Sequence, residues 1–443
     1  MLDPVTFDRL FFALSMAFHM IFVTITMGLS ILVSIYELRY IKSKKIEYKV
    51  LAKKLAKALV LSFAFGTASG TLIAFELFSL FPKFMAVASQ VAILPFYVEV
   101  FAFFLETIAL IMYFYFWENF KNLYAHWLLS ILVIIGTASS AILITMINAF
   151  MNTPAGFNIA NFISTGKITD VNPWAVFNGP STWSEEYHVI TTTYAAAGFM
   201  MLAIFSYYYK KTKDRIAEIM KNGMKTSSIF AGISILLAGI SGHFTELMLL
   251  TEQPLKYAAI ELNFYPATSN APELIGGLYY NNSTYFYISI PNLQSFLAYF
   301  PSGNGYLPGL YEYPANLWPP LYIHLTFDLM VFGGILLGIF ALILFVSIIF
   351  KKDIFNKRTI INGSIISGFL AMAVYDAGWV TNEVGRQPWI IYNVMTVEEA
   401  ANVSSVIIPI GFSIMVFYLV SIPITILYIL KILKVKVEEI SNT

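Results

Sequence analysis

Long apolar runs separated by polar stretches recur from one end of the chain to the other. Nine of them are long enough to cross a bilayer: 9–37, 50–81, 91–117, 124–150, 185–209, 226–250, 318–349, 360–380 and 403–430. About 20 apolar residues span the hydrocarbon core as a helix, and backbone that crosses it must satisfy its own hydrogen bonds. The pattern therefore predicts an all-α integral membrane protein of nine transmembrane helices, with 1–443 forming a single membrane domain. The first run begins near Arg9, is too long for the core of a signal peptide and is followed by no small-residue cleavage site, so it reads as mature structure. Two polar stretches are long: 151–184, rich in Asn, Pro, Thr and Ser, and 251–317, rich in Pro, Asn, Tyr and Gly. Loops of that length are usually functional or disordered, and the second holds a helix-like piece, Lys256 to Glu261. No internal repeat and no soluble domain is visible.

Charge sets the orientation. Lys and Arg number eight in 38–57, one in 118–122, six in 210–225, four in 351–358 and three from 431 onward, together 22 of the 27 in the chain. The other five, Arg9, Lys83, Lys167, Lys256 and Arg386, fall on the opposite side. Positive residues concentrate on the cytoplasmic side, which puts the N-terminus outside and the C-terminus in the cytoplasm of a multi-pass cell-membrane protein. Only 12% of residues are charged, where soluble proteins hold about 25%. The net charge of +1, with no basic stripe interleaved with aromatics, excludes a nucleic-acid partner and leaves the lipid bilayer as the evident one. Cysteine is absent, which excludes disulfides, Fe–S clusters and thiolate-ligated haem. Any metal must be held by His, Met, Glu, Asp or Tyr.

Ionisable groups inside such helices mark function by default. Of the five histidines, His19 lies about ten residues into the first apolar run and His188 opens the fifth, after Glu185 and Glu186. Met330 lies in the seventh run and Glu383 at the end of the eighth. Taken singly, each histidine fits a hydrogen-bonded core residue and the methionine a gap filler. Taken together, with the N-terminus outside, all four fall in the outer half of the bilayer on four different helices. Neutral imidazoles and a thioether converging in an apolar bundle are what haem b ligation requires. Glu99 and Glu106 sit seven residues apart in the third run. Seven steps turn a helix by about 700°, so both carboxylates share a face, roughly 10 Å apart. They read as a proton relay or as metal or haem neighbours, or else each pairs with a cation from another helix. Arg9 and Arg386 flank helix ends where they can meet haem propionates or simply reach the interface.

Four stretches carry a resemblance. They are RLFFALSMAFHMIFVTITMGLS at 9–30; MNTPAGF at 151–157 with NPWAVFNGPSTW at 172–183 ahead of His188; GHFTELMLLTEQPLKYAAIE at 242–261; and GWVTNEVGRQPW at 378–389. Over essentially its full length the chain resembles subunit I of the cytochrome bd-type quinol oxidases, and the last string is the most diagnostic. The resemblance implies three haems in the outer half of the bundle: a low-spin haem b, a high-spin haem b, and a haem d or second high-spin haem b. It implies His188 and Met330 as axial ligands of the low-spin haem. His19 and Glu383 would belong to the high-spin pair, without saying which iron each meets. Glu99 and Glu106 match the carboxylates that serve those haems and proton delivery. Lys256 and Glu261 match quinol-oxidation residues in an outer quinol-binding loop, 251–317. Arg9 and Arg386 would pair with propionates, and Trp379 would neighbour the haem pair.

The implied activity is a quinol:oxygen oxidoreductase. Quinol protons leave to the outside, O2 is reduced to water with cytoplasmic protons, and proton motive force arises without a pump. A smaller second membrane subunit is implied as a partner. Two positions depart from the family pattern. Asp328 stands two residues before Met330, where relatives carry Arg; an anion there would favour oxidised iron and lower the potential of the low-spin haem. The carboxylates on the third helix are seven apart rather than eight, which turns Glu99 by about 100° relative to the family. Two other readings fit the same residues: a divergent haem-binding relative that no longer reduces oxygen, and a proton-coupled transporter, although transporters commonly show repeats and broken helices that are not seen here.

Overall fold

The computed structural model describes residues 3–404, 406–435 and 439. Among these, nine helices are long and apolar enough to cross a membrane, one for each predicted run. In chain order the helices are α1 (Pro4–Ser43), α2 (Ile46–Leu80), α3 (Pro82–Val91), α4 (Ile93–Tyr115), α5 (Leu123–Asn152), α6 (Ile159–Thr165), α7 (Thr182–Lys211), α8 (Asp214–Glu252), α9 (Pro254–Ile260), α10 (Leu293–Ala298), α11 (Ile323–Ile349), α12 (Arg358–Val384), α13 (Val397–Ala400) and α14 (Ile407–Leu433). The long ones alternate in direction. The amino terminus, the loops 153–181 and 253–322 and the turn after α12 thus share one end of the bundle, the loop end.

Local chemistry sets the boundaries. Pro4 occupies the first position of α1, and the Asp3 side chain accepts from the Thr6 N–H at 3.0 Å. At the other end Lys44 turns left-handed, with φ 57°, and returns its N–H to Tyr40. Hydropathy alone starts the seventh span at 318, but Pro319 and Pro320 hold 318–322 out of the helix and α11 begins at Ile323. The helix-like piece near 256 is α9, which starts at Pro254. α12 continues through Val384, so Gly378 to Val384 form its last turns.

The helical reading holds for the bundle, and the loops add what apolar-run counting does not see: among the described residues, three two-stranded antiparallel sheets. β1 (Ala267–Ser269) pairs with β4 (Asn304–Leu307), β2 (Glu273–Tyr280) with β3 (Ser283–Ile290), and β5 (Trp389–Ile391) with β6 (Met395–Thr396). Asn281 and Asn282, at φ 48° and 58°, make the two-residue turn between β2 and β3.

Helix α1 runs through the middle and packs on α2, α5, α7, α12 and α14. Away from the loop end, His126 of α5 is buried against Glu37 of α1 (2.6 Å) and the rings of Tyr113, Trp117 and Phe120. Where α7 and α8 cross, Gly198 meets Ala231 so closely that a Cβ on Gly198 would lie 2.7 Å from the Ala231 Cα. Overpacking a closed contact costs about 1–3 kcal/mol. Gly198→Val should therefore lower the thermal midpoint of the detergent-solubilised protein followed by circular dichroism, whereas a valine at Gly334, which has open space around it, should leave the midpoint unchanged.

Candidate functional site

Hydrogen bonding sorts the five histidines. His19 Nδ1 lies 2.8 Å from Ser69 Oγ on α2, and the Ser69 hydroxyl hydrogen goes to the Gly66 carbonyl at 2.9 Å. The serine oxygen is therefore the acceptor, the hydrogen sits on Nδ1, and Nε2 keeps its lone pair. His188 repeats the arrangement: Nδ1 is 3.0 Å from Ser241 Oγ on α8, whose hydroxyl points to Ala238 O at 3.0 Å. The other buried histidines use both nitrogens. His126 faces Glu37 and the Tyr113 carbonyl, the latter at 3.0 Å. His324 faces the Ile260 and Gly276 carbonyls at 2.6 and 2.7 Å. His243 lies on an exposed face beside Phe244. Among the described residues, His19 and His188 are thus the inward-facing histidines with an open nitrogen, the requirement for an axial metal ligand. The donor set fits haem: two open imidazoles and a thioether.

Met330 on α11 rests against α12 at Gly378, where a Cβ would approach its sulfur to 3.0 Å. Helix α12 is tied to both α11 and α7. Thr326 of α11 meets Thr381 at 2.8 Å, and Thr193 of α7 meets the Tyr375 hydroxyl at 2.9 Å. That hydroxyl also lies 3.7 Å from the Met20 sulfur, next to His19 in sequence, and the Tyr375 ring meets Trp379 edge-on at 6.5 Å.

The end of α12 is wired to the loop end by side-chain amides. Lys256 of α9 donates to the Asn382 carbonyl (3.0 Å) and Oδ1 (2.8 Å). Asn382 donates to Asn148 at 2.8 Å, and Asn148 donates to Glu383. The other Glu383 oxygen takes Arg386 at 2.5 Å. Arg386 also donates to Asn152 at 2.9 Å, and Asn152 donates to both Glu185 oxygens at 2.9 and 3.0 Å. Gln253 closes the cluster on the Asn152 carbonyl at 2.9 Å. Arg386 is therefore buried and paired, with only Nε lacking a partner. Arg9 is exposed at the start of α1.

On α4, Glu99 accepts from Ser140 of α5 at 2.6 Å. Glu106 is buried where α4 and α5 nearly touch: a Cβ on Gly136 would fall 2.7 Å from the Glu106 Cβ, and Oε1 has no partner. Both carboxylates therefore face α5, and neither has an ion pair among the described residues, so pairing with a cation from another helix does not explain them.

In the 253–322 loop, Lys256 and Glu261 are each 2% exposed. Burial pulls the Lys256 ammonium down to about 8, opposed by the charge of Glu185. Burial, then the neighbouring Glu273, pushes Glu261 well above the usual carboxylate range. Glu273 is raised to about 7 by burial and by the charges of Glu246 and Asp328. Asp328 turns to this loop: it lies 3.6 Å from His324 Nε2 and accepts the Gly276 N–H at 2.5 Å. The His324 ring, in turn, lies against the Ile260 and Gly276 carbonyls. The Asp328 carboxyl is thus engaged by the loop and by His324 and does not lie free next to Met330. Sequence reasoning missed the four amides, Ser69, Ser241 and the His324–Asp328 pair; only the last carried a visible signal, two ionisable residues one helical turn apart.

The model of the family described as cytochrome bd terminal oxidase subunit I matches residues 7–437. A putative cytochrome bd menaquinol oxidase subunit I of Bacillus subtilis is 33% identical over 402 residues, covering 89% of this chain and 88% of its own length. The cytochrome bd ubiquinol oxidase subunit 1 of the same organism is 27% identical over 409 residues, covering 89% and 85%. The structure of bd oxidase from Geobacillus thermodenitrificans superposes with a TM-score of 0.90 at 32% identity, over 97% of this chain and 98% of that one.

The buried lysine has a pH signature. Its pKa is lower folded (about 8) than unfolded (about 10.5), so between those values the unfolded chain binds more protons and stability rises with pH. The thermal midpoint of the purified protein should climb across that window, and Lys256→Met should flatten the climb; an unchanged slope in the variant would contradict the burial of a titrating lysine.

Proposed function

The chain belongs to the cytochrome bd terminal oxidase subunit I family, and we propose how its residues divide the work of that subunit. It is a multi-pass membrane protein, a haem-containing subunit of a quinol:oxygen oxidoreductase in the respiratory chain. In the proposed topology the loop end faces outside and the C-terminus the cytoplasm, as the Lys and Arg distribution requires.

His188 and Met330 would hold a low-spin haem b. His19 and Glu383 would serve a high-spin haem b and a haem d or second high-spin haem b. When bound, these groups supply the electron transfer and the oxygen chemistry. The supporting observation is the sorting of the histidines: the two with an open Nε2 are the two whose sequence context resembles haem helices. Glu383 keeps lone pairs beyond those shared with Asn148 and Arg386, and Trp379 lies one residue from the Gly378 on which Met330 rests.

The loop 251–317 would take quinol. Lys256 is held by Asn382, so its part is to fix α9 against α12 and thereby present Glu261. A quinol proton received at the buried Glu261 has Glu273 beside it, which changes protonation near neutral pH and is partly open to solvent. That gives release toward the loop end. Glu106 and Glu99, facing α5, would carry protons arriving from the cytoplasmic side. Charge separation then follows from the two proton fates. A smaller second membrane subunit is the expected partner.

A reduced-minus-oxidised spectrum of the membrane complex should show haem, and His188→Ala should abolish the low-spin α-band together with quinol-dependent oxygen uptake. Survival of that band would overturn the ligand assignment. Glu273→Gln should shift the acid limb of the pH–rate profile near pH 7, because the unprotonated form is the acceptor.

A further inference from the structure

We propose that Ser69 and Ser241 are positioning residues for the two haem histidines, each fixing the tautomer and basicity of its imidazole, and that the glycine after each serine is the seat of the ring. The inference rests on the reading of His19 and His188 as iron ligands and adds residues that reading does not contain.

The two sites are built alike in different parts of the bundle. Each histidine stands on the first helix of an antiparallel pair, α1 with α2 and α7 with α8, and each faces a Ser-Gly dipeptide on the second. Ser69 and Ser241 are 0% and 1% exposed, so no water competes for their oxygens. Each has a single hydroxyl hydrogen, and in each case a carbonyl three residues earlier in the same helix accepts it, Gly66 O at 2.9 Å and Ala238 O at 3.0 Å. The oxygen is left to accept from Nδ1, at 2.8 and 3.0 Å. At Ser241 the Thr191 hydroxyl also lies 3.0 Å away, but Thr191 reaches the Tyr187 carbonyl at 2.8 Å, which leaves Ser241 as acceptor from the ring. The reverse tautomer would place a hydrogen on Nε2 and leave Nδ1 without a donor to accept, closing the ligand position.

The glycines hold the pose. A Cβ on Gly70 would come to 3.3 Å from His19 Cε1, and one on Gly242 to 3.2 Å from His188 Cε1. Any larger residue pushes the ring off the serine by a few tenths of an ångström, enough to weaken the hydrogen bond.

The consequence is electronic. An acceptor on Nδ1–H makes the imidazole a stronger donor to iron and favours the oxidised, more positive state. Removing the acceptor should raise the midpoint potential of the haem that the histidine holds. The two serines act on different haems, so their effects should be separable in one complex.

The test is an optical redox titration of the purified complex with Ser241→Ala, Ser241→Cys and Ser69→Ala, with resonance Raman spectra of the reduced enzyme. Ser241→Ala should keep the low-spin α-band and titrate at a higher potential than wild type. Ser241→Cys, similar in size but a weak acceptor, should fall between them. Ser69→Ala should leave the low-spin titration unchanged and lower the iron–histidine stretching frequency of a high-spin haem. If Ser241→Ala loses haem, the cysteine variant decides. A wild-type potential in whichever of the two retains the band overturns the proposal, as does loss of the band in both. His188→Ala run in parallel separates the two levels: a band that survives there removes the ligand assignment itself, whereas its loss alongside unshifted serine variants removes only the role of the serines.

Discussion

Lys256 carries its ammonium into a site that is 2% exposed, and the arrangement of the loop end follows from keeping that group partnered. A buried cation needs acceptors and, nearby, a compensating anion. The acceptors are both oxygens of Asn382, and the anion closest by charge is Glu185. Between them runs a chain of amides. An asparagine side chain both donates and accepts, so a row of them can pass from cation to anion with each member satisfied. Asn382 accepts from Lys256 and donates to Asn148; Asn152 accepts from Arg386 and donates to Glu185. Two basic side chains, Lys256 and Arg386, and two carboxyls, Glu185 and Glu383, are thereby held in fixed places with one direct ion pair, Arg386–Glu383. Because a half-satisfied buried network is less stable than none, the helices that contribute to it, α5, α7, α9 and α12, are committed to one relative position.

The histidines show the same economy of partners used to opposite ends. His324 and His126 have both nitrogens engaged and join elements: His324 joins α11 to α9 and the β2–β3 hairpin, and His126 joins α5 to α1 and α4. His19 and His188 have one nitrogen engaged, on a neutral hydroxyl whose own hydrogen is committed elsewhere. A residue type that looks uniform in sequence is divided by its neighbours into clamps and rings with one nitrogen left open.

That division explains what could be read from the chain. The nine spans were legible because apolar runs and Pro or charged flanks are local signals. His19, His188, Glu99, Glu106 and the 378–389 stretch were legible because ionisable residues stand out against apolar surroundings. Asn148, Asn152 and Asn382 were not: they are uncharged, and the contacts that join α5 to the end of α12 span more than 200 residues, as in the bond from Asn382 to Asn148. Ser69 and Ser241 are two serines among many, and their meaning lies in the direction of a hydroxyl hydrogen. For Asp328 the sequence shows only its distance from Met330, and the structure adds its contact with His324 four residues earlier. The β2–β3 hairpin was missed because its strands, 8 residues each, are too short to register in a count of apolar runs of spanning length.

Two turns of α11 join both halves of the proposed reaction. His324 and Asp328 grip the loop at Ile260 and Gly276, next to Glu261, while Met330 faces Gly378 of α12 slightly further along the same helix. Thr326, between them, is bonded to Thr381 of α12. The spacing from the loop carboxylate to the thioether is therefore set by one helix and not by a flexible connection, and an α-helix at 1.5 Å per residue has little freedom to change it. Electron transfer depends steeply on distance, whereas proton release needs a carboxylate that can reach solvent. Placing the clamp at the first turns of α11 would meet both needs: the proposed quinol site is fixed relative to Met330, and the hairpin that carries Glu273 extends from that fixed point toward solvent. Asp328, two residues before Met330, thus takes part in how the loop is held, alongside His324.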